Sequence, residues 1–243
     1  MNLSLKSNLK VFPAIPSLSS NDRYKGYITS VLNHLLMQKT SVNLMKPYVT
    51  PPHTGKFSVG MPDRLHAIVG RMNNVVDKFM TTDATHVFFN DGDVEIPPNC
   101  IDTLIRHNVD VASGVYPWHN FDKSRAMMFG RMHTENTCGY FRPRIWEQMK
   151  EHVWGEEEHW SGGTGCMLVK RRVFEQHHPK LHPLRFNKDN DCGGDVLFWK
   201  RVQDAGFTAR VDANVVCGHL PDYPLRNAEE WLKPEPELEL EKK

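Results

Sequence analysis

Apolar residues along this chain recur with two spacings, and the switches between them divide it into strands and helices. The run "LKVFPAIPS" reads as a short strand, Lys10 to Ile15, stopped by Pro16. After a polar stretch, Ile28, Val31, Leu32, Leu35 and Leu36 follow at helical spacing behind Ser and Asn residues suited to capping. Strand, polar turn and helix form the opening of an α/β unit. Residues 40–60 are ambiguous: "VNLMKPYVT" fits a second strand and "PPHTG" a loop. Leu65, Ile68, Val69, Met72, Val75, Val76 and Phe79 then recur at three and four, which predicts a long amphipathic helix. It leads into the strand "THVFFN", a helix in "PPNCIDTLIRHN" with proline in its first turn, and another apolar strand, "VDVASGVYP".

The second half is less regular. "RAMMFGRM" fits a strand, and residues 133–164, which include "WGEEEHWSGGTG", read as a polar loop rich in tryptophan and glycine. "GCMLVKRRVFEQ" is strand into helix, "GGDVLFWKRVQDAG" is a helix closed by Gly206, and "FTARVDANVVCGHL" is a strand ending in Gly-His. The pattern predicts one α/β domain over residues 1–228, followed by an acidic, proline-containing tail over 229–243 with no apolar face worth burying, expected to be solvated or disordered. No internal repeat is present.

Composition narrows the function. With 243 residues the chain can bury a sizeable core. Lys plus Arg number 30 against 29 Asp plus Glu, so there is no field to steer a polyanion, and nucleic-acid binding is not expected. Cys100, Cys138, Cys166, Cys192 and Cys217 stand far apart with no C-x-x-C, which argues for reduced thiols and a cytoplasmic address. No apolar window is long enough to cross a membrane and the first residues lack the core of a signal peptide, so a soluble protein without a transmembrane segment is expected. No Walker loop, G-x-S-x-G or H-E-x-x-H occurs. Adjacent His177 and His178 cannot both face one ion from a regular helix, and His182 precedes a proline, which disfavours a zinc site.

The acidic cluster in "FFNDGDVE" invites chemistry. Asp91 and Asp93 follow a buried strand directly, and in α/β sheets ligands bind beyond the carboxyl ends of strands. If the backbone stays extended, residues two apart point the same way and both carboxylates converge on one ligand, with Gly92 permitting close approach. Such oxygen donors suit Mn²⁺ or Mg²⁺, with positions left for phosphate oxygens. The alternatives are a solvated Asp-Gly turn, or the second D-x-D of the chain, Asp189 and Asp191.

The stretch "THVFFNDGDVEIPPNCIDTLIRHNVDVASGVYP" resembles the nucleotide-sugar-dependent glycosyltransferases of the GT-A fold, especially members similar to family two. Three later segments agree in order: "GGTGCMLVKRRVFE" is similar to the glycine-rich acceptor-side loop, "GGDVLFWKRVQDAGF" to the helix that carries an acidic pair, and "RVDANVVCGHL" to a terminal strand delivering a histidine to the metal. The resemblance implies a GT-A (Rossmann-like) α/β fold with a mixed, mostly parallel sheet flanked by helices. It further implies a metal-dependent transfer from a UDP- or GDP-sugar to a glycan or other hydroxyl acceptor, with inversion. Asp93 would hold the ion, assisted by Asp91, with His219 as a further ligand. Asp195 would be the general base, with Asp191 as substitute because Gly194 stands where the family has a glutamate. Pro16, Ser17 and Asp22 would face the nucleotide. Arg71 and Asn73, separated by Met72, resemble an "R-N" signature near the donor, although Arg71 also fits a snorkelling surface arginine. Trp154 and Trp160, with Glu156, Glu157 and Glu158, would suit a sugar acceptor or a solvated acidic loop. The alternative for Asp195 is a carboxylate in the first turn of a helix, where its charge complements the macrodipole. The competing functions are a nucleotidyltransferase, which should open with a glycine-rich basic loop, and a non-catalytic sugar- or nucleotide-binding module.

Overall fold

A computed structural model describes residues 8–16, 22–51, 61–118, 126–132, 141–145, 153–154, 160–175 and 194–233. Its centre is a mixed sheet. In chain order the elements begin with β1 (Lys10–Ile15), α1 (Asp22–Leu36), the two-residue strands β2 (Asn43–Leu44) and β3 (Tyr48–Val49), and α2 (Met61–Met80). Then come β4 (His86–Asn90), β5 (Val94–Glu95), α3 (Cys100–Arg106), β6 (Val111–Val115), β7 (Ala126–Met132) and β8 (Phe141–Ile145). The chain continues with β9 (Val153–Trp154), β10 (Trp160–Gly162), β11 (Cys166–Lys170), α4 (Arg172–Glu175) and α5 (Gly194–Asp204). It closes with β12 (Ala209–Val216), β13 (Gly218–His219), a 3₁₀ turn and α6 (Ala228–Trp231).

The main sheet runs β2-β1-β4-β11-β6-β12-β9, with β3 also on β1. β11 is antiparallel to both β4 and β6, and β9 is antiparallel to β12, while the other pairings are parallel. The central strands are apolar on both faces because both are covered, as expected where helices flank a sheet. On one face Phe12, Val87, Phe89, Met167 and Val211 pack with Met72, Val75, Val76 and Phe79 of α2 and Phe198, Trp199 and Val202 of α5. On the other, Val11, Ile15, Phe88 and Leu168 meet Val31 and Leu35 of α1 and Ile101 and Leu104 of α3. The expected single α/β domain is what the structure contains.

Several sequence expectations need correction. The ambiguous stretch 40–60 supplies two short strands rather than one, because both pair with β1 on either side of Pro47, which has no N–H to give a ladder; residues 52–60 lie outside the described residues. Pro97 and Pro98 precede the first turn of α3, whose N-cap is Asn99. Residues 133–164 are not all loop: β8 and β10 flank β7 in a three-stranded antiparallel sheet, and β9 edges the main sheet. The segment from Glu229 is not wholly solvated, since Trp231 and Leu232 pack partly buried against the core and Trp231 Nε1 donates to the Pro224 carbonyl at 3.2 Å. Beyond Lys233 the tail lies outside the described residues.

Candidate active site

The site forms where β4 ends. Asp91, Gly92 and Asp93 do not continue the strand: the Val94 N–H returns to the Asp91 carbonyl at 3.1 Å, closing a turn. The two carboxylates are therefore gathered by a turn and not by extended pleating. Gly92 is confined by packing, because a Cβ there would lie 3.3 Å from Cγ1 of Ile28 on α1. The turn is fixed from beneath by Asn90, fully buried, whose amide donates to the Val94 carbonyl at 2.8 Å and to the Gly165 carbonyl at 3.0 Å. The Asp91 N–H donates to the same Gly165 carbonyl at 3.2 Å.

β5 then pairs with β13 as an antiparallel ribbon, Val94 opposite His219 and Glu95 opposite Gly218. The Leu220 N–H donates to the Asp93 carbonyl at 2.8 Å, which anchors the histidine segment to the acidic turn. His219 Nε2 lies 3.8 Å from Asp93 Oδ2. Its Nδ1 is 2.7 Å from the Pro117 carbonyl; that oxygen can only accept, so Nδ1 donates there and Nε2 is the ring nitrogen that faces Asp93. The sequence needs Gly218 here because a Cβ would come within 2.3 Å of the Leu225 amide nitrogen.

Asp195 reaches this cluster from the first turn of α5, where its carboxylate accepts the Val196 N–H at 2.9 Å. Burial pushes its carboxyl above the ordinary range, partly countered by that bond. Burial also pushes Asp91 well up, and the negative charges of Asp93 and Asp195 add to it. Asp91 thus feels both of the other carboxyls, with Tyr116 beside them: burial, then the charges of Asp91 and Asp195, push its phenol well up. The carboxylate oxygens and His219 Nε2 are donor types that could hold Mn²⁺ or Mg²⁺. Among the described residues no set of three His, Cys, Asp or Glu side chains is grouped to hold an ion. Asp93 and His219, were both to ligate, would supply two donors and leave most of a coordination sphere to water or phosphate.

The remaining candidates sit as follows. Pro16, just past the end of β1, is buried; the last residues that pair between β1 and β4 are Ala14 and Phe89, close to the strand ends from which Pro16 and Asp91 lead off. Arg71 is not a snorkelling surface residue: it is 6% exposed on α2, and its Nη1 has no hydrogen-bond partner among the described residues. Burial lowers its pKa. Asn73, two residues on in the same helix and so on a different face, is half-buried. Asp22 opens α1, and Trp154 and Trp160 lie in β9 and β10. Ser17, Asp191, Glu156, Glu157, Glu158, His177, His178 and His182 lie outside the described residues.

Two site residues have no counterpart among the sequence candidates: Tyr116 and Asn90. Asn90 ends an apolar strand, so its full burial implied hydrogen-bond work; Tyr116 carried no comparable signal beyond closing the strand "VASGVY".

No family model matches the chain. No curated protein matches it by sequence. Among solved structures it is similar to A197 from STIV, with a TM-score of 0.53 at 15% identity, covering 88% of this chain and 86% of that one. That likeness concerns the fold. No helix among the described residues is long and apolar enough to cross a membrane.

Proposed function

We propose that this protein is a divalent-metal-dependent glycosyltransferase that moves a sugar from a nucleoside-diphosphate sugar, UDP- or GDP-linked, to an acceptor hydroxyl. The observation that carries the reading is the approach of His219 Nε2 to 3.8 Å from Asp93 Oδ2, with Nδ1 committed to the Pro117 carbonyl, beside Asp91 and Asp195. Asp93 and His219 would hold Mn²⁺ or Mg²⁺, with Asp91 assisting or meeting a ribose hydroxyl. The ion would supply positive charge where the departing diphosphate gains negative charge.

The chain's own residues do the rest. Pro16, just past β1, would border the donor side, and the buried Nη1 of Arg71, which has no partner among the described residues, is a donor suited to an anion. Asp195 takes the proton of the acceptor hydroxyl as that oxygen attacks the anomeric carbon from the face opposite the leaving diphosphate, so the configuration inverts. A carboxyl raised by burial is a stronger base than a solvated one once ionised, which suits that role. The rival reading as a nucleotidyltransferase lacks the glycine-rich basic loop after β1, since "IPSLSSND" contains neither glycine nor a basic cluster.

The test is to incubate the protein with Mn²⁺ and a panel of sugar nucleotides and measure nucleoside diphosphate release. Release that requires the metal supports the reading. Binding of sugar nucleotide without release, under every acceptor tried, would leave a binding module instead.

A further inference from the structure

Tyr116 stands between the two halves of this site and touches both. It follows β6, is 3% exposed, and sets its ring edge-on to the His219 imidazole, with centroids 5.4 Å apart and planes at 84°. The carbonyl that fixes His219 Nδ1 belongs to the next residue, Pro117. On its other side the Tyr116 hydroxyl accepts the Gly165 N–H at 3.1 Å. The glycines of "SGGTG" are shaped around this side chain: a Cβ on Gly163 would lie 2.1 Å from the hydroxyl oxygen, and one on Gly165 would lie 2.8 Å from Cζ. The same loop reaches the helix of Asp195, since a Cβ on Gly162 would sit 3.2 Å from Trp199 Cζ2 of α5.

We propose that Tyr116 is a positioning residue that sets two parts of the site independently: its ring orients the His219 imidazole toward Asp93, and its hydroxyl fixes the Gly163–Gly165 loop beside Asp195. The first action holds His219 Nε2 toward Asp93. The second fixes the wall against which the acceptor approaches. Assigning that wall to the acceptor rests on the proposed sugar transfer, whereas the two contacts do not.

Because ring and hydroxyl act on different partners, two substitutions separate them. In the full-length protein Tyr116→Phe keeps the ring and removes the acceptor for the Gly165 N–H. Its amide should exchange with solvent about tenfold faster, the scale of one lost hydrogen bond. The His219 imidazole ¹⁵N signals should stay as in the wild type, and KM for the acceptor should rise while KM for the sugar nucleotide is unchanged. Tyr116→Leu removes both, and should also move the His219 signals and weaken Mn²⁺ binding by about 10- to 100-fold, as loss of an outer-shell partner does. A purely structural tyrosine would shift both KM values together or neither. Wild-type Gly165 exchange in Tyr116→Phe, or wild-type His219 signals in Tyr116→Leu, overturns the proposal. If no sugar nucleotide is turned over by the wild type, the functional reading falls, and the exchange and imidazole measurements still decide the role of Tyr116.

Discussion

At the scale of single residues, the roles proposed for Asp93, His219 and Asp195 predict losses that differ in kind. Asp93→Ala should abolish metal-dependent binding of the sugar nucleotide, read by titration calorimetry with and without Mn²⁺. Asp195→Asn should leave that binding intact and lower turnover by roughly 10²- to 10⁴-fold, the range for a lost general base; loss of binding there would show that its role is misassigned. The same substitution carries a stability signature. Burial raises the Asp195 carboxyl in the folded chain, so its contribution is present below the ordinary carboxylate range and is lost as pH rises through the raised value. Asp195→Asn should therefore raise the melting temperature of the metal-free protein at neutral pH.

At the scale of elements, β4 shows how far a sequence pattern can be read. Its apolar run marked a buried strand correctly, whereas the extended backbone expected for the two aspartates after it gives way to a turn. What the pattern did not carry was partnership. Neither the insertion of β11 beside β4 nor the ribbon of β5 with β13 is encoded within any one window, since strand pairing is decided by residues distant along the chain. For the same reason the stretch 133–164 hid β8 and β10, whose strand character comes from pairing with β7. His86, at the start of β4, was likewise unmarked. Burial, with a smaller contribution from the Lys170 charge, lowers its pKa from 6.5 to about 4. The unfolded chain takes up that proton first, so stability that is full above pH 6.5 should fall as pH drops toward 4, by about 3 kcal/mol at 1.36 kcal/mol per unit. Denaturant titrations at stepped pH check this, and His86→Gln should flatten the dependence over that interval.

At the scale of the whole molecule, the site joins segments from residue 91 to residue 219, so filling it should be felt by the entire fold. An ion that binds the folded state alone adds stability by mass action, about 2.7 kcal/mol at a hundred times its dissociation constant. Mn²⁺ should raise the melting temperature, a chelator should reverse the rise, and His219→Ala should abolish it; an equal rise in that variant would argue that the ion binds elsewhere. The order of the strands has a temporal consequence as well. β11, which runs against its neighbours, is the wedge between β4 and β6, yet it is made some 75 residues after β4. A nascent chain leaving the ribosome therefore carries the β2-β1-β4 ribbon with β6 still lacking both of its sheet neighbours, β11 and β12, and contacts this distant in sequence make for slow closure. A chain halted before Cys166 should remain susceptible to protease, and one released past β12 should become resistant.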